Sequence, residues 1–277
     1  CGARLSDQHR HTIYTQHAAV GRNFPPLRFD LTMLDGMQSI TQYAESGVLS
    51  GTIVITGRSV LNMKADTGEV SSRTAIGIAT NGDDRISDWI QVIRDLRKHS
   101  DNIILRCHPA ENRKPIWKMI CHFYRVQYDR TSLDAFLTKC KILVTGASGI
   151  ALDAALNGVP TLCYPPQKFR LDRFQDYYRY SHYKLCLAVN EIADISNDVK
   201  MLPSPDFSGV SAFDAGVADD PVKSKWNLMT WFTRDAGTAN ESPQLKCPPG
   251  FVSNEYAGQV FYCTPNYSKI IIKNEWI

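Results

Sequence analysis

From Thr74 to Tyr164 short apolar runs alternate with amphipathic ones, and no other feature narrows the fold as much. Thr74 to Thr80 is a continuous run of strand length, and Asp84 to His99 carries Ile86, Trp89, Ile90, Ile93 and Leu96 at helical spacing. Asn102 to Cys107 predicts the next strand. Lys114 to Phe123 predicts the next helix, with Pro115 tolerated in its first turn. Ser132 can cap a helix over Leu133 to Cys140, Ile142-Leu143-Val144 reads as a strand, Ser148 to Asn157 as a helix ended by Gly158, and Thr161 to Tyr164 as a further strand. Parallel strands joined by helices are buried on both faces and so read as unbroken apolar runs, which predicts an α/β fold with a Rossmann-like parallel sheet.

Before this region come short apolar runs separated by Gly and Pro: His11 to Thr15, the Pro25-Pro26 break, and Gly51-Thr52-Ile53-Val54-Ile55-Thr56-Gly57, which reads as a buried strand. Ser39 to Ser46 suits a short helix ended by Gly47. Residues 61–72 are polar and read as a loop, with Asp83 or Asp84 as a cap for the helix that follows the next strand. After Ser204 the pattern weakens to an irregular tail in which Trp226 to Phe232 suits a short helix and Gln259 to Tyr262 a strand piece. The expected organisation is residues 1–60 as the end of one domain and a crossover, 61–203 as the Rossmann-like domain, and 204–277 as an extension of unassigned fold.

Composition excludes some classes. No apolar run approaches the ~20 residues of a spanning helix, so the chain reads as soluble. A net charge of +3 is too small to imply nucleic acid, although His9, Arg10 and His11, or Lys223 with Lys225, are placed to meet an acidic surface. Eight cysteines are sparse for 277 residues, and Cys107, Cys121, Cys140, Cys163 and Cys186 lie in apolar segments, which fits a reducing, cytoplasmic compartment. Cys247 and Cys263, in a Pro/Gly/Tyr-rich stretch, are the one plausible disulfide pair, and no CxxC supports zinc. The chain opens on Cys1 without a leader pattern, as a piece of a longer protein would.

Ligands of open α/β sheets bind beyond the carboxyl ends of the strands, so the strand endings carry the candidate chemistry. Asn81-Gly82-Asp83-Asp84 follows a strand and opens a helix, and Gly82 would let backbone N–H groups approach a phosphate. His108 ends the next strand, where Pro109 turns the chain away; a histidine there can hydrogen-bond or, protonated, pair with a phosphoryl oxygen. Thr145-Gly146-Ala147-Ser148 places small residues and two hydroxyls between a buried strand and a helix, as an anion site requires. Asp153, on that helix, suits either a ribose hydroxyl or the orienting of a neighbour. There is no G-x-G-x-x-G and no G-K-[ST], which excludes dinucleotide and P-loop readings.

The run Lys141 to Tyr164, preceded by Arg106-Cys107-His108-Pro109 and by Ser132 to Leu137, resembles the donor-binding half of GT-B glycosyltransferases. The nearest likeness is to enzymes of bacterial surface polymers, the capsule sialyl- and Kdo-transferases and the CDP-glycerol glycerophosphotransferases. The resemblance implies that His108 and Pro109, with Thr145 and Ser148, hold the phosphate of a nucleotide, although Ala147-Ser148 stands where the families carry Ser-Ser. Tyr14-Thr15-Gln16-His17, Asp35-Gly36, Tyr43 and Ile53 to Gly57 resemble the end of the acceptor-side domain, most of which would precede Cys1. His17, Asp30 and Asp35 are its candidates for a catalytic base.

The implied activity is metal-independent transfer of a sugar from a CMP-, CDP- or UDP-linked donor to a glycan or polymer hydroxyl, with no cofactor beyond the nucleotide-sugar and with work at a membrane surface. A glycerophosphotransferase, a UDP-GlcNAc 2-epimerase-like enzyme and a non-catalytic nucleotide- or glycan-binding module remain alternatives. The sugar, the acceptor, the stereochemical outcome and the oligomeric state are not legible.

Overall fold

The computed structural model describes residues 12–21, 24–58, 73–82, 84–164, 178–189, 207–217, 220–235 and 247–275. The chain begins with β1 (Ile13–Thr15), β2 (Arg28–Leu34), α1 (Met37–Ser46) and β3 (Ser50–Ile55). There follow β4 (Ala75–Thr80), α2 (Ile86–Arg97), β5 (Ile103–Cys107), α3 (Lys114–Phe123) and β6 (Gln127–Tyr128). Next come α4 (Leu133–Leu137), β7 (Cys140–Thr145), α5 (Ile150–Leu156), β8 (Thr161–Cys163) and β9 (Leu187–Ala188). The last elements are α6 (Phe207–Phe213), α7 (Pro221–Asp235), β10 (Val252–Tyr256), β11 (Gln259–Cys263) and α8 (Pro265–Lys273). The chain divides into two compact units, residues 1–62 with 211–277, and residues 63–210.

The second unit has the α/β architecture expected of it. Its sheet runs β6-β5-β4-β7-β8-β9 with every pairing parallel. Counted along the chain this is the 3-2-1-4-5-6 order of a Rossmann fold. All six residues of β4 are buried, as an apolar strand covered on both faces must be. Trp89, Val92, Ile93 and Leu96 of α2 and Trp117, Ile120 and Cys121 of α3 pack on Ile76, Ile78, Ile103 and Leu105. Phe136 and Leu137 of α4 and Ala154 of α5 pack with Ala75, Ala79, Ile104 and Leu143. Three layers result, with the helices that follow β4 and β5 in one core cluster and those that follow β6 and β7 in another.

Local expectations here hold with small shifts. Pro115 lies in the first turn of α3, and the Ser132 hydroxyl accepts from the Ala135 N–H at 3.2 Å, capping α4. That helix ends at Leu137, short of Cys140, which instead opens β7 and pairs with Ala75. The residue before α2 is Arg85, without a side-chain cap, and Asp84 serves a different purpose described below. Asp83 and the loop at 61–72 lie outside the described residues.

In the first unit the sheet order is β1-β2-β3-β11-β10, parallel except for the β10–β11 hairpin. From Leu31 onward along β2, and along β3 and β11, residues alternate between its faces. Leu34, Ile53, Ile55, Phe261 and Cys263 meet Met37, Ile40 and Tyr43 of α1 and Tyr267 and Ile271 of α8. Leu31, Met33, Val54 and Tyr262 meet Leu228 and Phe232 of α7. The stretch after Ser204, read from sequence as irregular, thus supplies two strands and two covering helices to the first sheet. Cys247 and Cys263 are both free thiols, so the plausible disulfide is not formed. Lys225 is buried, which removes it from any surface patch; Lys223 is exposed, while His9, Arg10 and His11 lie outside the described residues.

Gly77, at the middle of β4, is where the packing leaves no room for a side chain. A Cβ there would stand 2.4 Å from the Cys140 sulfur and 3.1 Å from the Phe136 ring. Gly77→Ala is expected to lower stability by about 1–3 kcal/mol through overpacking, measured by urea unfolding; an unchanged midpoint would show that α4 can move aside freely.

Candidate functional site

Strand order decides where a ligand can sit in the second unit. The chain leaves β4 toward β5 on one side and leaves β7 toward β8 on the other, so a crevice opens beyond the ends of these two neighbours. Its rims are Asn81-Gly82 after β4 and Gly146-Ala147-Ser148-Gly149 after β7. The Asn81 side-chain amide donates to the Ala147 carbonyl at 3.0 Å, joining the two rims. Added Cβ atoms at Gly82 and at Gly149 meet nothing within 4 Å, so both glycines face open space.

The residues singled out from sequence divide by task. Thr145 is fully buried and its hydroxyl donates to the Ala79 carbonyl at 3.0 Å, which ties β7 to β4. The Asn81 N–H donates to the Asp84 carboxylate at 2.7 Å and is therefore not turned toward an anion. Ser148 is half-buried on the rim, and Gly146 is buried beneath it. Among the described residues the N–H groups of Ser148, Gly149 and Ile150 make no hydrogen bond to another backbone carbonyl. Asp153 lies half-buried in the first turn of α5.

His108 is exposed, and its own N–H donates to the Thr80 carbonyl at 3.0 Å. Its ring Nδ1 accepts from the Ala110 N–H at 3.2 Å. Such a bond requires an unprotonated Nδ1, which leaves the ring proton on Nε2. With Nδ1 engaged in this way, Nε2 is the ring nitrogen left to offer an N–H donor, the hydrogen-bonding role that the sequence left open beside ion pairing. Pro109, also exposed, turns the chain, and its carbonyl accepts from Lys114 Nζ at 2.7 Å.

Glu111 and Arg113, missed in the sequence, hold these loops in place together with Asp84, which was read there as a helix cap. Glu111 has a buried carboxylate that accepts from the Arg113 Nε and Nη2 at 2.9 and 2.8 Å, from the Arg113 N–H at 2.7 Å and from the Trp117 indole at 3.1 Å. Hydrogen bonding from the Arg113 guanidinium outweighs burial and holds this carboxyl at a pKa of about 2. Arg113 then reaches across to the carbonyls of Gly82 and Asp84 at 2.7 and 3.0 Å. Asp84, buried, accepts from the Trp89 indole at 2.9 Å. The loop after β5 is thereby tied to the loop after β4. Two acidic residues each followed by a tryptophan, Asp84 with Trp89 and Glu111 with Trp117, were the available signal.

In the first unit, Gln16-His17 and Asp35-Gly36 follow the neighbouring parallel strands β1 and β2 and so lie at one end of the sheet. His17 is exposed. Asp30 is engaged structurally, its carboxylate accepting from the Thr12 N–H at 2.6 Å and hydroxyl at 2.9 Å. Asp35 differs. Its backbone N–H donates to the Gln16 side chain at 2.9 Å, and its carboxylate lies 3.5 Å from Lys225 Nζ, with side-chain exposures of 6% and 10%. Burial is the main cause that pushes the Asp35 carboxyl up to about 7, against the opposing pull of Lys225 and with Asp214 and Arg58 nearby.

No family model and no curated protein matches the sequence. Solved structures do match. S. aureus MnaA with UDP has 12% identity and a TM-score of 0.47 over 78% of this chain and 62% of that one. AviGT4, a glycosyltransferase involved in avilamycin A biosynthesis, has 9% identity and a TM-score of 0.45 over 83% of this chain and 69% of that one. The wall teichoic acid polymerase TagF has 14% identity and a TM-score of 0.45 over 81% of this chain and 68% of that one. The chain thus spans about two thirds of the length of these structures.

Two outcomes are expected. Arg113→Met strands the buried Glu111 charge and should destabilise by about 2 kcal/mol, less than the ~3–5 of a fully buried pair because the guanidinium is one-third exposed; urea unfolding at neutral pH measures it. For Asp35 the folded pKa lies above the unfolded value, so the folded state keeps a proton that the unfolded chain has lost. Its contribution to stability is present below about pH 4 and is lost as pH rises to about 7. Unfolding of wild type and Asp35→Asn across that range should show wild type losing ground steadily; parallel profiles would reject the raised pKa.

Proposed function

We propose that the second unit binds the phosphate end of a nucleotide-activated donor, and that the chain transfers the activated group, a sugar or a glycerophosphate, to the hydroxyl of a glycan or polymer. The observation that carries this reading is the crevice between β4 and β7. It stands where the strand order reverses, is rimmed by Asn81-Gly82 and by Gly146 to Gly149, and has His108 on the adjoining strand end.

The chemistry follows from charge. When a hydroxyl oxygen attacks the activated carbon or phosphorus, the bond to the leaving phosphate breaks and negative charge gathers on its oxygens. Backbone N–H groups at Ser148 to Ile150 and the Nε2–H of His108 are donors suited to that charge, and the Glu111–Arg113 clamp keeps the loops from having to reorganise. This needs no protonated histidine. Within the first unit, Asp35 is our candidate for a catalytic base, because it follows a strand end beside Lys225 and a carboxyl titrating near neutrality can both accept a proton and release it. His17 is the second candidate. An acceptor polymer held at a membrane would require the protein to work at that surface.

Calorimetric titration with CMP, CDP, UMP and UDP tests the reading. At least one nucleotide should bind, and His108→Ala should weaken it about 10-fold or more, as loss of a hydrogen bond to a charged group does. Absence of binding by all four would sink the donor site. Binding without turnover over CMP-, CDP- and UDP-linked donors would favour a non-catalytic module instead.

A further inference from the structure

Helix α3 carries two apolar stripes, and the core uses only one. Trp117, Ile120 and Cys121 are buried in the second unit. Ile116, Met119 and Phe123, spaced three and four apart, form a second row that is 42%, 65% and 76% exposed. Beside it, Lys114, Lys118 and His122 recur every four residues and make an exposed row of nitrogen-bearing side chains.

Charge along this segment has one sign. From Asn112 to Tyr128 the sequence has no Asp or Glu but holds Arg113, Lys114, Lys118 and Arg125. The flanking acids are turned inward: Glu111 is buried under Arg113, and Asp129 is buried against Lys139. Aromatic rings extend the same character. Phe123 meets Tyr124 edge-on at 5.0 Å, with Arg94 5.6 Å over the Tyr124 ring. Lys118 and Arg130 lie 6.0 and 5.6 Å from the Tyr128 ring.

We propose that this face of α3, with Phe123, Met119 and Ile116 as the inserted ridge and Lys118, Arg125, Arg94 and Arg130 around it, docks on an anionic lipid bilayer. An apolar stripe next to a cationic one is the pattern of a helix that lies in the plane of a membrane interface. Lipid phosphates complement the cations while the acyl region takes the ridge. A protein partner fits less well. The helix has 10 residues and so is ~15 Å long, short for a standard interface, and lysine is depleted at interface cores. The proposal goes beyond the nucleotide site and does not depend on it.

Co-sedimentation of the full chain with vesicles tests it, comparing equimolar phosphatidylglycerol and phosphatidylcholine with phosphatidylcholine alone. Binding is expected only to the anionic vesicles and should fall as salt rises. Met119→Glu with Phe123→Glu should weaken it at least ~10-fold. Lys118→Gln with Arg125→Gln, which leaves the ridge intact, should weaken it and flatten its salt dependence. Equal circular dichroism and equal nucleotide affinity in all variants separate this surface from the donor site. No binding to anionic vesicles, or binding unchanged in both double variants, overturns the proposal. So does self-association that the glutamate variant abolishes while vesicle binding is absent, because the ridge then meets a second copy.

Discussion

Everything in the second unit depends on β4 being hydrogen-bonded on both sides, to β5 and to β7, with all three strands parallel. A central strand in that position must be apolar on both faces, and its neighbours must be reached by crossovers that lead away from it in opposite directions. The divergence sets the loops after β4 and β7 side by side beyond its carboxyl end, where Asn81 joins them. Gly77 belongs to the same constraint, since the strand is pressed against Cys140 and Phe136 too closely for a Cβ.

Charges buried near the strand ends then shape the two units differently. In the second unit the Asp84 carboxylate accepts from the Asn81 N–H and the Trp89 indole, and Glu111 remains ionised because Arg113 donates to it from three nitrogens. Such groups brace loops. In the first unit Asp35 is equally buried, with the Lys225 ammonium at 3.5 Å, and its carboxyl shifts the other way because burial outweighs the pull of Lys225 and Arg58. A carboxyl left so poorly compensated is the kind that exchanges protons near neutrality.

Much of the fold was legible because it is local. The helix over Lys114 to Phe123, the cap at Ser132 and the strand over Gln259 to Tyr262 each follow from a period or a turn residue within a few positions. The site was legible in outline, since His108 and Ser148 do lie at strand ends, but the part played by each side chain was not. Thr145 looked like a ligand hydroxyl and is a strand tie; Asn81 looked like an anion contact and is a bridge between rims. A hydroxyl or an amide near a turn has several partners open to it, and only the neighbouring strand decides which one it takes.

The sequence alone determined the alternation of strand and helix from Thr74 to Tyr164, and with it an α/β class, because hydrophobic period is a property of successive residues. Tertiary structure decided the strand order, the Arg113 clamp and the meeting of Asp35 with Lys225, 190 positions apart in the chain. Those contacts arise when strands distant in sequence become neighbours in a sheet, and no local period encodes that pairing. The same holds for the stretch after Ser204, whose place in the first sheet is set by the pairing of β11 with β3 and of β10 with β11.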